Sequence, residues 1–355
     1  MIYLDYQATT PLAPEARQAM LRWLAEDGFA NPHSAHAMGR AAKAAVEVAR
    51  EQVAALFPPG GKVIFTGSAT EAINLAVQGR AYGAIALSAI EHAAVRDTAR
   101  AVGGGVELPV GPDGLVNPDV ALPKDVGLVA VMQVNNEIGT IQLAERLAER
   151  AHQAGALFLC DAVQGAGKLA APAGADLIAV SAHKLYGPKG IGALWVRDGV
   201  ELAPFVHGGG QEGGLRSGTL SPALCAGFGA AVQVALARRE DDAAHVSDLW
   251  DIARHELARW TLNGSETARW KGNLNLRLNG LDVARLMSEC RRVMFSAGSA
   301  CASGSGRPSH VLRAIGLSDG EARSSIRLGF GRYTTRDELL EACRAIDAAA
   351  KAQGV

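Results

Sequence analysis

The sequence predicts an α/β protein: a large domain on a mainly parallel sheet with helices on both faces, then a smaller α+β domain. Three observations predict it. Between residues 62 and 197 six runs are apolar throughout rather than alternating, as strands buried on both faces are. Helical or loop segments separate several of these runs, as crossovers between parallel strands require. From about residue 225 the rhythm turns to helices, and short strands mixed with helices follow.

The elements follow in order. "IYL" at residues 2–4 reads as a short strand, and "ATTPLAPEARQAMLRWL" leads into a helix. A longer helix is expected within residues 35–56, where Ala41, Ala45, Val48, Gln52 and Leu56 recur at spacings of three and four. "KVIFTG" is the first strand of the sheet, and "SATEAINLAVQG" is a helix after it. "AIALSAIEH", "VGLVAVMQVNNE", "ALFLCDAVQG", "ADLIAVSAHK" and "IGALWVR" supply five more. Five of the six runs end in polar residues: Thr66 and Ser68, His92, Asn135 and Asn136, Asp161 and Gln164, Ser181 with His183 and Lys184. Open α/β sheets build their sites at such strand ends. "ALCAGFGAAVQVALARREDDAAHVSDLW" is helical. "GNLNLRL" and "SSIRLGFG" are short strands, and "DVARLMSECRRV" and "RDELLEACRAIDAAAKA" are helices. The N-terminal strand is expected to join this smaller unit.

The 355 residues, 48% of them hydrophobic, suffice for a large core. With 36 acidic and 35 basic residues the formal charge is -1, which argues against a dedicated nucleic-acid binder or a polybasic membrane binder. Cys160, Cys225, Cys290, Cys301 and Cys343 are odd in number and lack close pairing or metal-ligand spacing, so a reducing compartment and no metal are expected. The N-terminus lacks a signal-peptide pattern and no apolar stretch is long enough to span a bilayer, so the expected location is cytoplasmic.

Lys184, in "SAHKLYGPKG", follows an apolar strand and precedes a Gly-Pro turn. It reads either as a solvated loop lysine or as a Schiff-base lysine for an aldehyde cofactor, where a partly desolvated amine is both nucleophile and proton carrier. Pyridoxal phosphate chemistry needs an acid at the pyridine nitrogen, and Asp161 after "ALFLC" suits it. His92 suits the face of the ring and proton exchange near neutral pH. "FTGSATEAIN" offers a phosphate nest from the backbone amides around Ala69 and the hydroxyls of Ser68 and Thr70, with Ser181 and His183 as further donors. Arg327 is either a substrate-carboxylate clamp or a surface salt-bridge residue. Cys301 lies in "SAGSACASG", among glycine, serine and alanine, a setting for a mobile, partly exposed thiol rather than a core cysteine.

Taken in order, "YLDYQATTP", "NPHSAHAMGR", "FTGSATEAIN", "EHAAV", "VNNEIG", "CDAVQGAGK", "SAHKLYGPKGIGAL", "GGGQEGGLRSGT", "SAGSACASG" and "SSIRLGFGR" resemble the landmarks of the cysteine desulfurase family, in the class-V branch of fold-type I pyridoxal phosphate enzymes. The resemblance covers nearly the whole chain. It implies a seven-stranded, mainly parallel sheet in a large cofactor-binding domain over residues 14–228, and a small domain of residues 1–13 plus 229–355. It implies Lys184 as the Schiff-base lysine, Asp161 at the pyridine nitrogen, His92 stacked on the ring and exchanging protons, and Gln164 at the ring oxygen. Ser68, Ala69, Thr70, Ser181 and His183 would hold the phosphate, and Thr219 would reach the phosphate of a neighbouring subunit in a homodimer. Asn136 and Arg327 would take the substrate carboxylate, and Cys301 would be the nucleophile.

Two departures stand out. The phosphate turn reads Gly-Ser-Ala-Thr where the family commonly has Ser-Gly-Ala-Thr, and the stretch between Thr219 and Cys301 is short. The chain also stops soon after its last predicted helix, without the tail that some members use for scaffold contacts. The expected reaction converts L-cysteine to L-alanine. Sulfur passes as a persulfide on Cys301 to an acceptor such as an iron–sulfur cluster assembly scaffold. A selenocysteine lyase, another pyridoxal phosphate lyase and an aminotransferase are the alternatives on the same fold.

Overall fold

The computed structural model describes residues 1–25, 28–80, 83–298 and 308–355. The chain opens with β1 (Ile2–Tyr3), α1 (Pro14–Leu24) and α2 (Ala37–Ala54). Proline in the first turn of α1 costs no hydrogen bond there. The expected helix within 35–56 is present as α2, but its buried face is Gly39, Ala42, Val46, Ala49 and Val53. The predicted face of Ala41, Ala45, Val48 and Gln52 is therefore displaced by one residue, and Val48 is exposed. Both stripes carry small apolar residues, so periodicity alone does not choose between them. Packing against a later helix does, because Gly229 there lets Ala49 approach closely.

The sheet follows with β2 (Gly61–Thr66), α3 (Ala69–Gly79), β3 (Ala84–Ser88), α4 (Ala93–Ala101), β4 (Val106–Leu108), β5 (Val126–Met132), α5 (Ala144–Gln153), β6 (Leu157–Asp161), β7 (Leu177–Ser181) and β8 (Gly192–Arg197). Its order is β2-β8-β7-β6-β5-β3-β4. Only β8 runs against its neighbours, and the other pairings are parallel. The six apolar runs all form strands. The seventh strand, β4, has three residues of which only Leu108 is buried, too little for an apolar run to mark it.

Apolar residues alternate between the two faces. Phe65, Val129, Val131, Phe158, Cys160, Ile178, Val180 and Trp195 pack into one core, with Val46 of α2. Ile64, Leu128, Ala130, Leu159, Leu177, Ala179 and Leu194 pack into the other, with Ile73 of α3 and Val95 of α4. Because both faces are covered, each strand reads as continuously apolar although its side chains alternate.

Helices α6 (Pro222–Ala237) and α7 (Arg239–Glu256) come next, so the single helical run expected over this stretch is split at Arg238. Then follow β9 (Thr261–Leu262), β10 (Asn273–Arg277), α8 (Val283–Glu289), β11 (Val293–Met294), β12 (Ser296–Ala297), α9 (His310–Ala314), α10 (Asp319–Arg323), β13 (Ser325–Gly329) and α11 (Arg336–Ala352). Four of these strands form an antiparallel sheet, β12-β13-β10-β9, while β1 pairs in parallel with β11. Ile2 and Leu4 share a core with Leu249, Trp260, Leu276, Leu328 and Leu339. The buried residues of α6 remain in the first core as far as Ala235.

Candidate active site

The chain ends of β2, β3, β5, β6 and β7 lie at one edge of the sheet, because β2 and β7 are both antiparallel to β8. A cavity of about 290 Å³ opens there. Ser68, Ala69, Thr70, His92, Asn136, Asp161, Gln164, Ser181, His183, Lys184 and Arg327 all line it. Eleven residues drawn from positions 68 to 327 thus meet in one place. Thr219 is exposed and lies outside this lining. Cys301 lies outside the described residues.

Lys184 ends a single helical turn, Ala182–Lys184, that follows β7 directly. Its Nζ donates to the Gln7 carbonyl at 2.5 Å and the Ala8 carbonyl at 2.7 Å. Gln164 Nε2 donates to the same Gln7 carbonyl at 3.0 Å. The N-terminal segment is therefore a wall of the cavity. Sequence reading missed Gln7 and Ala8, because a main-chain carbonyl leaves no side-chain signature.

Asp161 is the last residue of β6 and is buried. Its Oδ1 accepts from the Val163 N–H at 3.0 Å. Burial pushes its carboxyl pKa up, opposed by His92 and Lys184. A cationic N–H partner inside the cavity would relieve that penalty. His92 caps α4, its Nδ1 accepting from the Ala94 N–H at 3.1 Å. A neutral His92 ring therefore carries its proton on Nε2.

On the other side, Ser68 caps α3 by accepting from the Glu71 N–H at 3.3 Å. The first N–H groups of a helix have no carbonyl partner within it, so this turn can receive an anion. The exchanged Gly-Ser order fits locally. Ser68 has an extended backbone at φ −171°, open to any residue. The Gly67 N–H reaches Glu71 Oε2 at 2.7 Å, and a Cβ at 67 would crowd that oxygen. Gly192 of β8 lies so close that a Cβ there would meet Ser68 and Ala69 main-chain atoms at 2.6–2.8 Å. His183 Nδ1 bonds Thr9 Oγ1 at 3.1 Å, and burial with Lys184 and Lys189 pushes its pKa down to about 4. An imidazole lowered that far can offer a hydrogen bond rather than a charge at pH 7.

Arg327, on β13, is 1% exposed, so it is no surface salt-bridge residue. Its Nη2 meets Asp5 Oδ1 at 2.7 Å and its Nη1 donates to the Asn136 carbonyl at 3.0 Å. Its Nε is buried with no hydrogen-bond partner among the described residues. Arg327 also lines the cavity, and a guanidinium is a planar donor suited to a carboxylate. Glu91, just before His92, was also missed. It is fully buried, its Oε1 accepts from Ser88 Oγ at 2.5 Å and the Met132 N–H at 2.8 Å, and burial pushes its pKa up to about 8.

These residues fit pyridoxal phosphate: an amine, a buried carboxyl whose pKa burial raises, an imidazole, and a helix N-terminus with Ser68, Thr70 and Ser181 hydroxyls around one cavity. Among the described residues, no group of three or more His, Cys, Asp or Glu side chains could hold a metal ion. Nor, among them, is any helix long and apolar enough to cross a membrane.

Residues 2–341 match the family model described as Aminotransferase class-V. A curated relative from Rickettsia bellii (strain OSU 85-389), named "Cysteine desulfurase IscS", is 41% identical over 95% of this chain and 88% of its own length. The solved NifS-like protein from Rickettsia africae ESF-5 superposes with a TM-score of 0.91 at 27% identity, covering 99% of each chain. A structure titled "SspA in complex with cysteine" gives a TM-score of 0.82 at 34% identity, over 94% of this chain and 100% of the other.

Proposed function

The chain belongs to the class-V aminotransferase family, and we propose on that premise that it is a pyridoxal-phosphate-dependent cysteine desulfurase, converting L-cysteine to L-alanine and carrying the sulfur as a persulfide on Cys301. The carrying observation is the single cavity that gathers Lys184, Asp161, His92, the Ser68–Thr70 turn and Arg327. Relatives named cysteine desulfurase and a structural neighbour titled with bound cysteine support the substrate.

Bound pyridoxal phosphate supplies an electron sink for negative charge at the substrate Cα. Ser68, Ala69, Thr70, Ser181 and His183 would hold its phosphate, Gln164 its ring oxygen, Asp161 its ring nitrogen and Lys184 its aldehyde. Arg327 and Asn136 hold the substrate carboxylate and so orient Cα and Sγ. Lys184 Nζ accepts the Cα proton and later returns a proton to product, while the two carbonyls of Gln7 and Ala8 keep the amine at the cavity wall. His92 exchanges a proton from Nε2. The Cys301 thiolate attacks Sγ. A sulfur–sulfur bond forms as the Cβ–Sγ bond breaks, and the electron pair of that bond stays with the carbon fragment, which gains protons to become L-alanine.

The proposal extends to a homodimer in which Thr219 completes the neighbouring site. Thr219 is exposed and outside its own cavity, and Leu12, Leu21, Leu24, Phe29, Met38 and Val48 are exposed along the N-terminal helices. The proposed domains are residues 14–228 and 1–13 plus 229–355, a boundary that falls within α6, whose later residues Ala231, Val232 and Ala235 still pack in the first core. The sulfur acceptor is a protein, of which an iron–sulfur scaffold is the leading kind. The proposed setting is reducing and cytoplasmic, from five cysteines that are odd in number and lack close pairing.

The test is purification with pyridoxal phosphate, a visible spectrum, and an assay for sulfide and alanine from L-cysteine without keto acid. Alanine and sulfide in equal amounts are expected with a reductant. A protein that binds no cofactor, or makes alanine only with an added keto acid, overturns the reading.

A further inference from the structure

Two residues after Lys184 the backbone turns in a way that its sequence does not favour. Tyr186 has φ +67°, and among the described residues only it and Glu212 are non-glycine residues in the left-handed region. A bulky side chain pays for that conformation, so the surroundings must over-determine it. They do so from two sides. The Tyr186 N–H donates to Thr10 Oγ1 at 2.8 Å, and its carbonyl accepts from the Ala13 N–H at 2.9 Å. Thr10 also binds the His183 carbonyl through both its N–H and its hydroxyl. The lysine turn is thus strapped to the N-terminal segment whose carbonyls receive Lys184 Nζ.

The ring is held by the other domain's elements. The Arg332 guanidinium stacks 4.1 Å from its centroid, and the Arg332 N–H donates to Tyr186 Oη at 2.9 Å. Arg332 is in turn fixed by Asp242 of α7, at 2.9 Å from Nε and 2.7 Å from Nη2, with its side chain 4% exposed. Tyr6 and Tyr333 meet the ring edge-on. Gly331 must be glycine here, since a Cβ would lie 2.5 Å from Tyr186 Oη. Arg332 follows Arg327 by five residues, on the turn that leaves β13.

We propose that Tyr186, clamped by Arg332, is a positioning residue for Lys184, locking the lysine turn to the strand that carries the substrate arginine. A glycine would adopt this backbone freely but would present no ring to clamp. The clamp links the lysine turn to Arg327 through the five positions that separate it from Arg332. This rests on the reading of Lys184 as the cofactor lysine.

The test compares wild type with Tyr186→Leu, Arg332→Met, Tyr186→Phe and a core control, Leu249→Ala, all loaded with pyridoxal phosphate. Tyr186→Leu and Arg332→Met should lower kcat about 10- to 100-fold with a smaller change in KM, as expected when a reacting group is misplaced rather than removed. They should also release cofactor faster, followed by loss of the visible band after dilution into cofactor-free buffer. Tyr186→Phe keeps the stacked ring and should recover most of the loss. Leu249→Ala should lower the melting temperature without changing cofactor release. If Tyr186→Leu melts lower but keeps wild-type kcat and release rate, or if Tyr186→Phe is as impaired as Tyr186→Leu, the proposal is overturned. Borohydride trapping of cofactor on Lys184 in wild type separates the two failures. Without a trapped adduct the cofactor reading falls, whereas an adduct with indistinguishable variants defeats only the clamp.

Discussion

Replacing Arg327 by glutamine removes a guanidinium that is 1% exposed and bonded to Asp5 and the Asn136 carbonyl. Two effects follow, and they separate. The first is on the fold. Truncating one partner of a fully buried ion pair costs about 3–5 kcal/mol, and Asp5 keeps 21% side-chain exposure, so the loss should fall below that range. The second is on substrate. A hydrogen bond to a charged group contributes about 1.5–3 kcal/mol, which is roughly a 10- to 150-fold loss in kcat/KM. The assay is alanine formation from L-cysteine, beside spectral titration of the holoenzyme with L-cysteine and with cysteamine, the same thiol-amine without a carboxylate. Arg327→Gln should weaken L-cysteine binding steeply and cysteamine binding little. Equal weakening of both ligands would refute the carboxylate role and leave only a structural one. So would an unchanged kcat/KM.

Other outcomes follow from the same geometry. Asp161→Asn should lower kcat by about 100-fold or more, the usual cost of losing one preorganised electrostatic partner, while its melting temperature at pH 7 holds or rises because a costly buried carboxyl is gone. Glu91, with a folded pKa of about 8 against an unfolded value near 4.5, binds more protons when folded across that interval, so its contribution to stability is lost as pH rises from 4.5 to 8. Melting curves should accordingly show Glu91→Gln stabilising at pH 8 more than at pH 5, and the opposite order would contradict the buried neutral acid. His183 has the reverse sign. Its folded pKa near 4 lies below the unfolded value of 6.5, so stability is complete above pH 6.5 and declines toward pH 4, by on the order of 1 kcal/mol after solvent screening. A His183→Asn variant should flatten that acid limb. Cys301→Ser should abolish sulfide release from L-cysteine while the cofactor's visible band is retained, and full activity in that variant would eliminate the persulfide.

What the sequence determined by itself was local chemistry and rhythm. Strands buried on both faces must be apolar at every position, so six of the seven strands of the large sheet were legible in runs such as "VGLVAVM". The residue types suited to cofactor chemistry were legible too, because Lys184, Asp161 and His92 each follow such a run. Tertiary structure alone decided what meets what. It chose the Ala42–Val46–Ala49 face of α2 over its neighbour, since small residues on both stripes leave the choice to the packing partner. It brought the carbonyls of Gln7 and Ala8 to Lys184, and peptide groups are the same whatever the residue. It buried Arg327 against Asp5, 322 positions away in sequence. It also set Tyr186 in a left-handed turn under Arg332. Local patterns record which face must leave water; long-range pairs depend on how the chain returns, and that is resolved only when the cores close.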